Sequence, residues 1–264
     1  MSKSFFDTTI LEKLRNGGKV CAAWEQLNSP IAAEIIAEAG FDVMVIDMEH
    51  SHTTLPEVIS MIQAAKGTDC VPFVRVPWND IVWCKQVLDT GAYAIHVPYV
   101  QTKEEAEAAV RYCKYPMQGV RGIAAGHRAV NYGMKKADYY PRANRDVMVI
   151  VAIETPLGVE NIHEIAAVEG VDGIFIGPMD LATSMGHLAD PSHPEVQAAI
   201  RTIEEAVLPT GKFLGTVAPN AEAAKKLYDR GYGIVYLMSD VAAVVNTAQA
   251  NVKAFREYME QEHN

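Results

Sequence analysis

Short apolar runs alternate with amphipathic stretches along the whole chain. Eight runs read as strands: 19–25 (KVCAAWE), 43–48 (VMVIDM), 71–76 (VPFVRV), 94–99 (AIHVPY), 147–154 (VMVIVAIE), 173–178 (GIFIGP), 212–218 (KFLGTVA) and 232–238 (YGIVYLM). They are rich in β-branched residues and hydrophobic at nearly every position, the pattern of parallel strands covered on both faces. Between them the spacing predicts helices, among them 56–66 and 103–114. The second of these opens with Glu104, Glu105 and Glu107, where acidic side chains favour the positive end of the helix dipole. A last helix over 239–260 sets Val241, Val244, Val245, Ala248, Val252, Phe255 and Met259 at helical spacing along one stripe.

Eight strands, each followed by helix, predict an α/β fold of the closed (β/α)8 TIM-barrel kind. A doubly wound open sheet is the alternative, but it usually carries a glycine-rich phosphate turn after its first strand. Here WEQLNSP follows, without a glycine. Such barrels commonly occupy about 250 residues, so a single barrel domain over 1–264 accounts for the chain. The surplus falls in two places. Segment 115–146 reads as a long loop rich in glycine and arginine, of the length that is functional or disordered as a rule. The apolar helix 239–260 has two destinations open to it, its own barrel or another subunit.

Hydrophobic residues make up 49% of the chain and the mean hydropathy is +0.01, enough for a large core and against wholesale disorder. No apolar run approaches the roughly 20 residues that span a bilayer. The opening MSKSFFDTTILEKLRNGG has no continuous apolar stretch of the signal-peptide kind. A cytoplasmic protein is expected. The net charge of −10 makes nucleic acid and anionic membranes poor partners, because like charges repel. Cys21, Cys70, Cys84 and Cys113 are too widely spaced for a zinc site or a small disulfide framework and read as reduced, small hydrophobes.

In a TIM barrel the chemistry gathers where strands end. The second strand ends in Asp47-Met48-Glu49-His50, the third brings Arg75 to the rim, the fifth ends in Glu154, and the sixth runs into Asp180. Glu154 and Asp180, on neighbouring strands, suit Mg²⁺ or Mn²⁺, which complete their shells with water or substrate oxygens. The blander alternative makes each a helix cap or a lysine's partner, with Asp180 as a possible N-cap. Arg75, a permanent cation with fixed donors, suits a carboxylate or a developing enolate oxygen, or a structural ion pair with Asp47 or Glu49. Histidine is a general base suited to neutral pH, which makes His50 a candidate. His96, inside the fourth strand, reads as a satisfied core histidine; His52 reads as a solvent-facing loop residue. His163, His187, His193 and His263 carry no signal. Asp89 opposes the dipole at a helix C-terminus at small cost, which leaves open a functional or interface role or a plain solvated residue.

Together IDMEH (46–50), VRVPWND (74–80), VLDTGAYAIHVPYVQTKEEAEAAV (87–110), IETPLG (153–158) and VEGVDGIFIGPMDLATSMG (168–186) resemble the class II, metal-dependent pyruvate aldolases of the HpcH/HpaI family. The resemblance runs in register from about 17 to 240 and includes the Arg-Gly loop at 121–133. It implies a barrel that cleaves or forms 4-hydroxy-2-oxo acids, giving pyruvate plus an aldehyde. Pyruvate would bind a divalent cation (Mg²⁺, Mn²⁺ or Co²⁺) through its carboxylate and keto oxygens, and its enolate would attack the aldehyde. It makes Glu154 and Asp180 the metal ligands, Arg75 the group that steadies the enolate oxygen, and His50 the base. Asp89 would reach His50 from a neighbouring subunit, and Asp47 and Glu49 would support the centre. Backbone amides near Gly177, Pro178 and Met179 would hold the pyruvate carboxylate, and Trp24 would lie near the aldehyde. The family's hexamers, with an exchanged C-terminal helix, would give the 239–260 stripe a destination.

One position departs from the resemblance: Ala152 stands where many members carry a glutamine, which removes a donor to the bound keto acid. IETPLGVEN also resembles the citramalyl- and malyl-CoA lyases, although only Arg121, His127 and Arg128 cluster as a basic group for a CoA tail. A barrel that binds a small carboxylate without turning it over is a further alternative.

Overall fold

The structure, a computed structural model, describes residues 8–262; the first seven residues of the opening stretch and His263 lie outside that range. The strands are β1 (Val20–Glu25), β2 (Val43–Asp47), β3 (Val71–Arg75), β4 (Ala94–Val97), β5 (Met148–Ile153), β6 (Gly173–Ile176), β7 (Phe213–Val217) and β8 (Ile234–Ser239). They form a closed barrel in sequence order, every neighbour parallel, with β8 returning to β1.

Their continuous hydrophobicity has the expected cause. Almost every strand residue is buried, on one side against the barrel interior and on the other under helices. Where strands end earlier than expected, the local chemistry explains it. Pro98 has no amide to donate, and Tyr99 takes a left-handed φ of 57°, so β4 stops at Val97. Gly177 and Pro178 end β6, with Pro178 opening the next helix, a position where its missing amide costs nothing.

The predicted helices appear as Leu55–Ala64, Lys103–Cys113 and Asp240–Glu262. A helix without a counterpart in the sequence pattern, Thr9–Arg15, packs Leu11 and Leu14 into the core, and Arg15 Nε donates to Asp172 at 2.8 Å. Asp172 lies just before β6, so this helix sits at the end of the barrel where strands begin.

One expectation changes and one left open is narrowed. The 115–146 segment is not a structureless loop: it holds a 3-10 turn at Arg128–Val130 and a helix at Lys136–Asp146 that buries Tyr139, Ala143 and Asp146. The final helix, whose destination the sequence left open, meets its own barrel only at its start, where buried Asp240 accepts the Gln26 and Leu27 amides. Every side chain from Val241 to Tyr258 is exposed, with Val244 at 57% and Phe255 at 63%. The four cysteines are free thiols, Cys21 half-buried and the other three buried.

Candidate active site

The C-terminal rim of β2, β3 and β5 carries an interlocked set of charges. Asp47 and Arg75 are register partners on adjacent strands. The Arg75 guanidinium donates to Asp47 through Nε (2.9 Å) and Nη2 (2.7 Å), and Nη1 lies 3.0 Å from Glu49 Oε2. Its carbon sits 4.2 Å from the centre of the Trp24 ring at the end of β1. Burial works against charge on Asp47, but the hydrogen bonds and charge of Arg75 outweigh it and hold the carboxyl below its ordinary range. The alternative of a structural ion pair is therefore realised with both acids, and the same contacts fix the direction in which the arginine faces.

Glu154 follows β5 and is 2% exposed. One oxygen, Oε2, accepts the Tyr99 amide at 3.0 Å, which is what the left-handed turn after β4 accomplishes. Burial first, then repulsion from Glu49 and Asp180, lifts its carboxyl to about 7 against the pull of the Tyr99 amide and Arg75. Glu49 is raised to about 7 as well, by burial and by Asp47 and Asp180, despite Arg75. Glu49, Glu154 and Asp180 therefore press on one another with Arg75 as the named counter-charge.

The blander roles do not apply to these acids. The helix after Glu154 is capped by Thr155, whose hydroxyl accepts from the Gly158 amide. Asp180 is not the cap of its helix, Pro178–Ser184: Gly177 holds that place and Asp180 lies in the first turn. Neither acid takes part in a recorded lysine ion pair among the described residues. A donor set of crowded carboxylates with raised proton affinity fits a hard divalent cation, which takes oxygen ligands and offsets their repulsion. Glu154 and Asp180, on neighbouring strand ends, are the residues that could hold it.

Gly177 shapes this corner. A Cβ there would lie 2.4 Å from Glu154 Oε1 and 2.8 Å from its Cγ, so the glutamate packs directly on the backbone. Pro178 supplies no amide, and the Gly177 amide points to Ile153 O at 3.4 Å. The first helical bond runs from the Leu181 amide to Gly177, which leaves the Met179 and Asp180 amides without a carbonyl inside the helix.

His50 has its amide on Asp47 Oδ1 (3.3 Å), its Nε2 3.7 Å from Glu49 Oε2, and a side chain 55% exposed. It is beside the charged set and open to solvent. Asp89 is not in this group. It ends the Ile81–Asp89 helix, ahead of β4, and its Oδ1 accepts from Arg121 Nη2 at 2.8 Å, with His127 Nε2 3.8 Å away. Among the described residues of one chain, no recorded contact brings Asp89 to His50.

Beneath the charged layer the barrel is aromatic. Trp24, His96, Phe175 and Tyr236 stack and tilt against one another with centroids 4.6–6.4 Å apart. His96 is in the core as expected but is not satisfied: neither ring nitrogen has a hydrogen-bond partner among the described residues. Burial, then the Arg75 charge, holds it far below its ordinary range and therefore neutral. Ala152 lies two residues before Glu154 on β5, fully buried, and offers no donor.

Gln26 is a residue that the strand-end reading passed over. Its Nε2 donates to Asp47 Oδ2 at 2.8 Å, and its Oε1 accepts from Ser239 at 2.8 Å, tying Asp47 to the end of β8. Tyr99 was missed too, because its contribution is a backbone amide. In both cases the signal was faint: a polar residue just after a strand end, and a Pro-Tyr pair breaking a strand.

A closed parallel barrel whose rim holds an oriented arginine among cation-ready carboxylates defines a metal-dependent barrel enzyme. The comparisons with known proteins agree. The sequence profile of the HpcH/HpaI aldolase/citrate lyase family matches residues 21–247. A 5-keto-4-deoxy-D-glucarate aldolase of Escherichia coli O139:H28 (strain E24377A / ETEC) is 41% identical over 233 residues, spanning 88% of this chain and 91% of that protein. An HpcH/HpaI aldolase/citrate lyase family protein of Burkholderia cenocepacia J2315 superposes with a TM-score of 0.90 at 35% identity, over 95% of this chain and all of that one (100%). The citrate synthase SbnG superposes with a TM-score of 0.84 at 29% identity, over 96% and 100%. The chain belongs to the HpcH/HpaI aldolase/citrate lyase family and is a carbon–carbon lyase. No helix of the described residues is long and apolar enough to cross a membrane.

Proposed function

We propose that this chain is a metal-dependent aldolase that cleaves and forms 4-hydroxy-2-oxo acids, with pyruvate as one product and an aldehyde as the other. The observation that carries the reading is the placement of Arg75 between Asp47 and Glu49, beside the cation-ready pair Glu154 and Asp180. The relative of E. coli is named for a substrate of this class, a keto-deoxy sugar acid, which makes 5-keto-4-deoxy-D-glucarate the first substrate to try.

A divalent cation, Mg²⁺ or Mn²⁺, supplies electrophilic pull on the keto acid's oxygens when bound. Glu154 and Asp180 would hold it. Arg75, turned by Asp47, faces the oxygen that gains charge as the methyl proton leaves, and the Met179 and Asp180 amides receive the substrate carboxylate. His50, exposed at the rim, takes or returns the proton. Trp24 lies under the Arg75 guanidinium, beside the aldehyde end of the substrate. Asp89 completes the centre from a second copy of the chain, where it pairs with His50; the exposed Val241–Phe255 stripe then packs between subunits of a homo-oligomer, a hexamer in the family's manner.

The CoA-lyase alternative loses support from the basic cluster. Arg121 is buried and ion-paired with Asp89, so it is not presented to a polyphosphate tail, and the half-buried Arg128 gives Nη1 to Thr90 O at 2.8 Å.

The test is deuterium exchange into the methyl group of pyruvate with added Mn²⁺ or Mg²⁺. Exchange is expected with the purified protein and is expected to vanish in Glu154→Ala. An absence of exchange in the unaltered protein overturns the pyruvate reading; exchange that survives Glu154→Ala overturns the cation assignment.

A further inference from the structure

Two histidines that carry no signal in the linear sequence meet in the connection between the Pro178–Ser184 and Pro194–Val207 helices. The imidazoles of His187 and His193 lie face to face, centroids 3.5 Å apart and planes inclined by 16°. Glu195 Oε2 is 2.8 Å from His187 Nε2. One potential ligand atom from each of the three residues lies within 4.8 Å of the others.

The connection that presents them is braced. The His187 amide donates to Ala182 O (2.9 Å), the Asp190 amide to His187 O (3.0 Å), and the His193 amide to Asp190 O (3.3 Å). Asp190 also accepts from the Ser192 amide and hydroxyl, and its carboxylate interacts electrostatically with both imidazoles. Neutral imidazole is the form that binds metal. The His187 side chain is 22% exposed and that of Glu195 69%, so an ion has a path in from solvent.

We infer that His187, His193 and Glu195 form a second metal site, separate from the carboxylate centre and suited to Zn²⁺ or a similar transition ion. The donor chemistry makes the distinction. Two imidazoles and one carboxylate suit zinc-like ions, whereas an all-oxygen set suits Mg²⁺ and Mn²⁺. In a tetrahedral shell with bonds of about 2.0–2.1 Å, ligand atoms stand roughly 3.4 Å apart. The widest separations therefore close from up to 4.8 Å, the 2.8 Å His187–Glu195 pair opens, and the stacked rings tilt to bring their in-plane lone pairs together. The exposed Glu195 side chain has that freedom, and water takes the fourth position. Either nitrogen of His193 binds only by giving up the long 3.3 Å bond in which Nδ1 accepts the Glu195 amide. Such an ion would staple the segment after one helix to the first turn of the next, at the opposite end from Met179 and Asp180.

The test uses the full chain carrying Glu154→Ala, which disables the carboxylate centre, with and without His193→Ala, and Zn²⁺ in equilibrium dialysis. One Zn²⁺ per chain is expected in the first protein, with affinity at least about tenfold weaker once His193 is lost. Glu195→Gln, an exposed and nearly isosteric change, should weaken binding in the same direction without disturbing the far-ultraviolet circular dichroism. Zn²⁺ should raise the thermal midpoint only where the cluster is intact. With Glu154 present, retro-aldol turnover in Mg²⁺ should be unchanged by His193→Ala. Equal Zn²⁺ uptake with and without His193, or an affinity unmoved by Glu195→Gln, overturns the site.

Discussion

Asp47 and Arg75 stand opposite each other on the β2–β3 ladder and meet through two parallel hydrogen bonds, both partners almost wholly removed from water. Two-pronged pairing of this kind fixes the plane of the guanidinium as well as its place. The remaining edge turns to Glu49, and the face rests on Trp24.

Asp47→Asn keeps the shape and removes the charge. Breaking a buried pair on one side costs about 3–5 kcal/mol, so the thermal midpoint should drop by several degrees. Turnover should fall at least about tenfold as the arginine loses its orientation, since a loss of 1.4 kcal/mol in transition-state contact corresponds to tenfold. Unchanged turnover in a folded variant would show that Asp47 serves stability alone.

Gly177→Ala tests the packing behind Glu154, the proposed cation ligand. The backbone there has φ −90°, open to any residue, so the effect is steric. The added methyl would meet Glu154 at 2.4 Å and push its carboxylate aside. Cation affinity, read by calorimetry, should fall while the fold persists at an overpacking cost of about 1–3 kcal/mol. Pairing it with Glu154→Asp, which shortens the side chain, should recover part of the affinity; equal affinities in all three proteins would refute the steric account.

Three carboxyls with raised proton affinity set a pH dependence. Glu25, Glu49 and Glu154 each stand at about 7, against an ordinary 4.5, chiefly through burial. The folded chain therefore binds more protons than the unfolded chain between these values. Their contribution to stability is full below pH 4.5 and is lost as pH rises through 7. The slope per group has an upper limit of about 1.4 kcal/mol per pH unit, less for the half-buried Glu49. Urea titrations of metal-free protein should show this decline across that window. Saturating Mg²⁺ should flatten it by favouring the ionised Glu154, and should bind more weakly as pH falls below 7. A metal-free stability that rises through the window would contradict the burial of these groups.

Mixing subunits tests the shared centre. His50→Ala and Asp89→Ala proteins should each be nearly inactive with cation affinity retained. If one site draws His50 and Asp89 from different chains, unfolding and refolding the two together should restore part of the turnover through sites with both native residues. No recovery from a mixture shown to co-assemble would place Asp89 outside the centre.

The barrel was legible because parallel strands buried on both faces leave an unbroken apolar signature, and eight such signatures admit few architectures. The Lys136–Asp146 helix was hidden for the opposite reason. Pro141 interrupts its interior, and Tyr139, Ala143 and Asp146 are a sparse and partly polar buried face. Strand-end acids and Arg75 stood out as charges at the ends of hydrophobic runs, but their pairing depends on register, which one strand alone does not reveal. Gln26 and the Tyr99 amide act from loops, where no periodicity marks them. The stacked pair of His187 and His193 arises from the turns between them, and linear spacing carries no trace of that.

The Tyr99 amide on one oxygen and the Gly177 backbone against the other leave Glu154 little room to swing. A ligand held so firmly cannot adapt its reach to ions of different radius. Ca²⁺, which prefers longer bonds and a larger, looser shell, meets the wrong spacing, while Mg²⁺ and Mn²⁺ tolerate or require the short one. If Glu154 holds the cation as proposed, calorimetry should show Ca²⁺ binding more weakly than Mg²⁺ or Mn²⁺, a discrimination by ionic size set by a tyrosine's backbone and a missing methyl group.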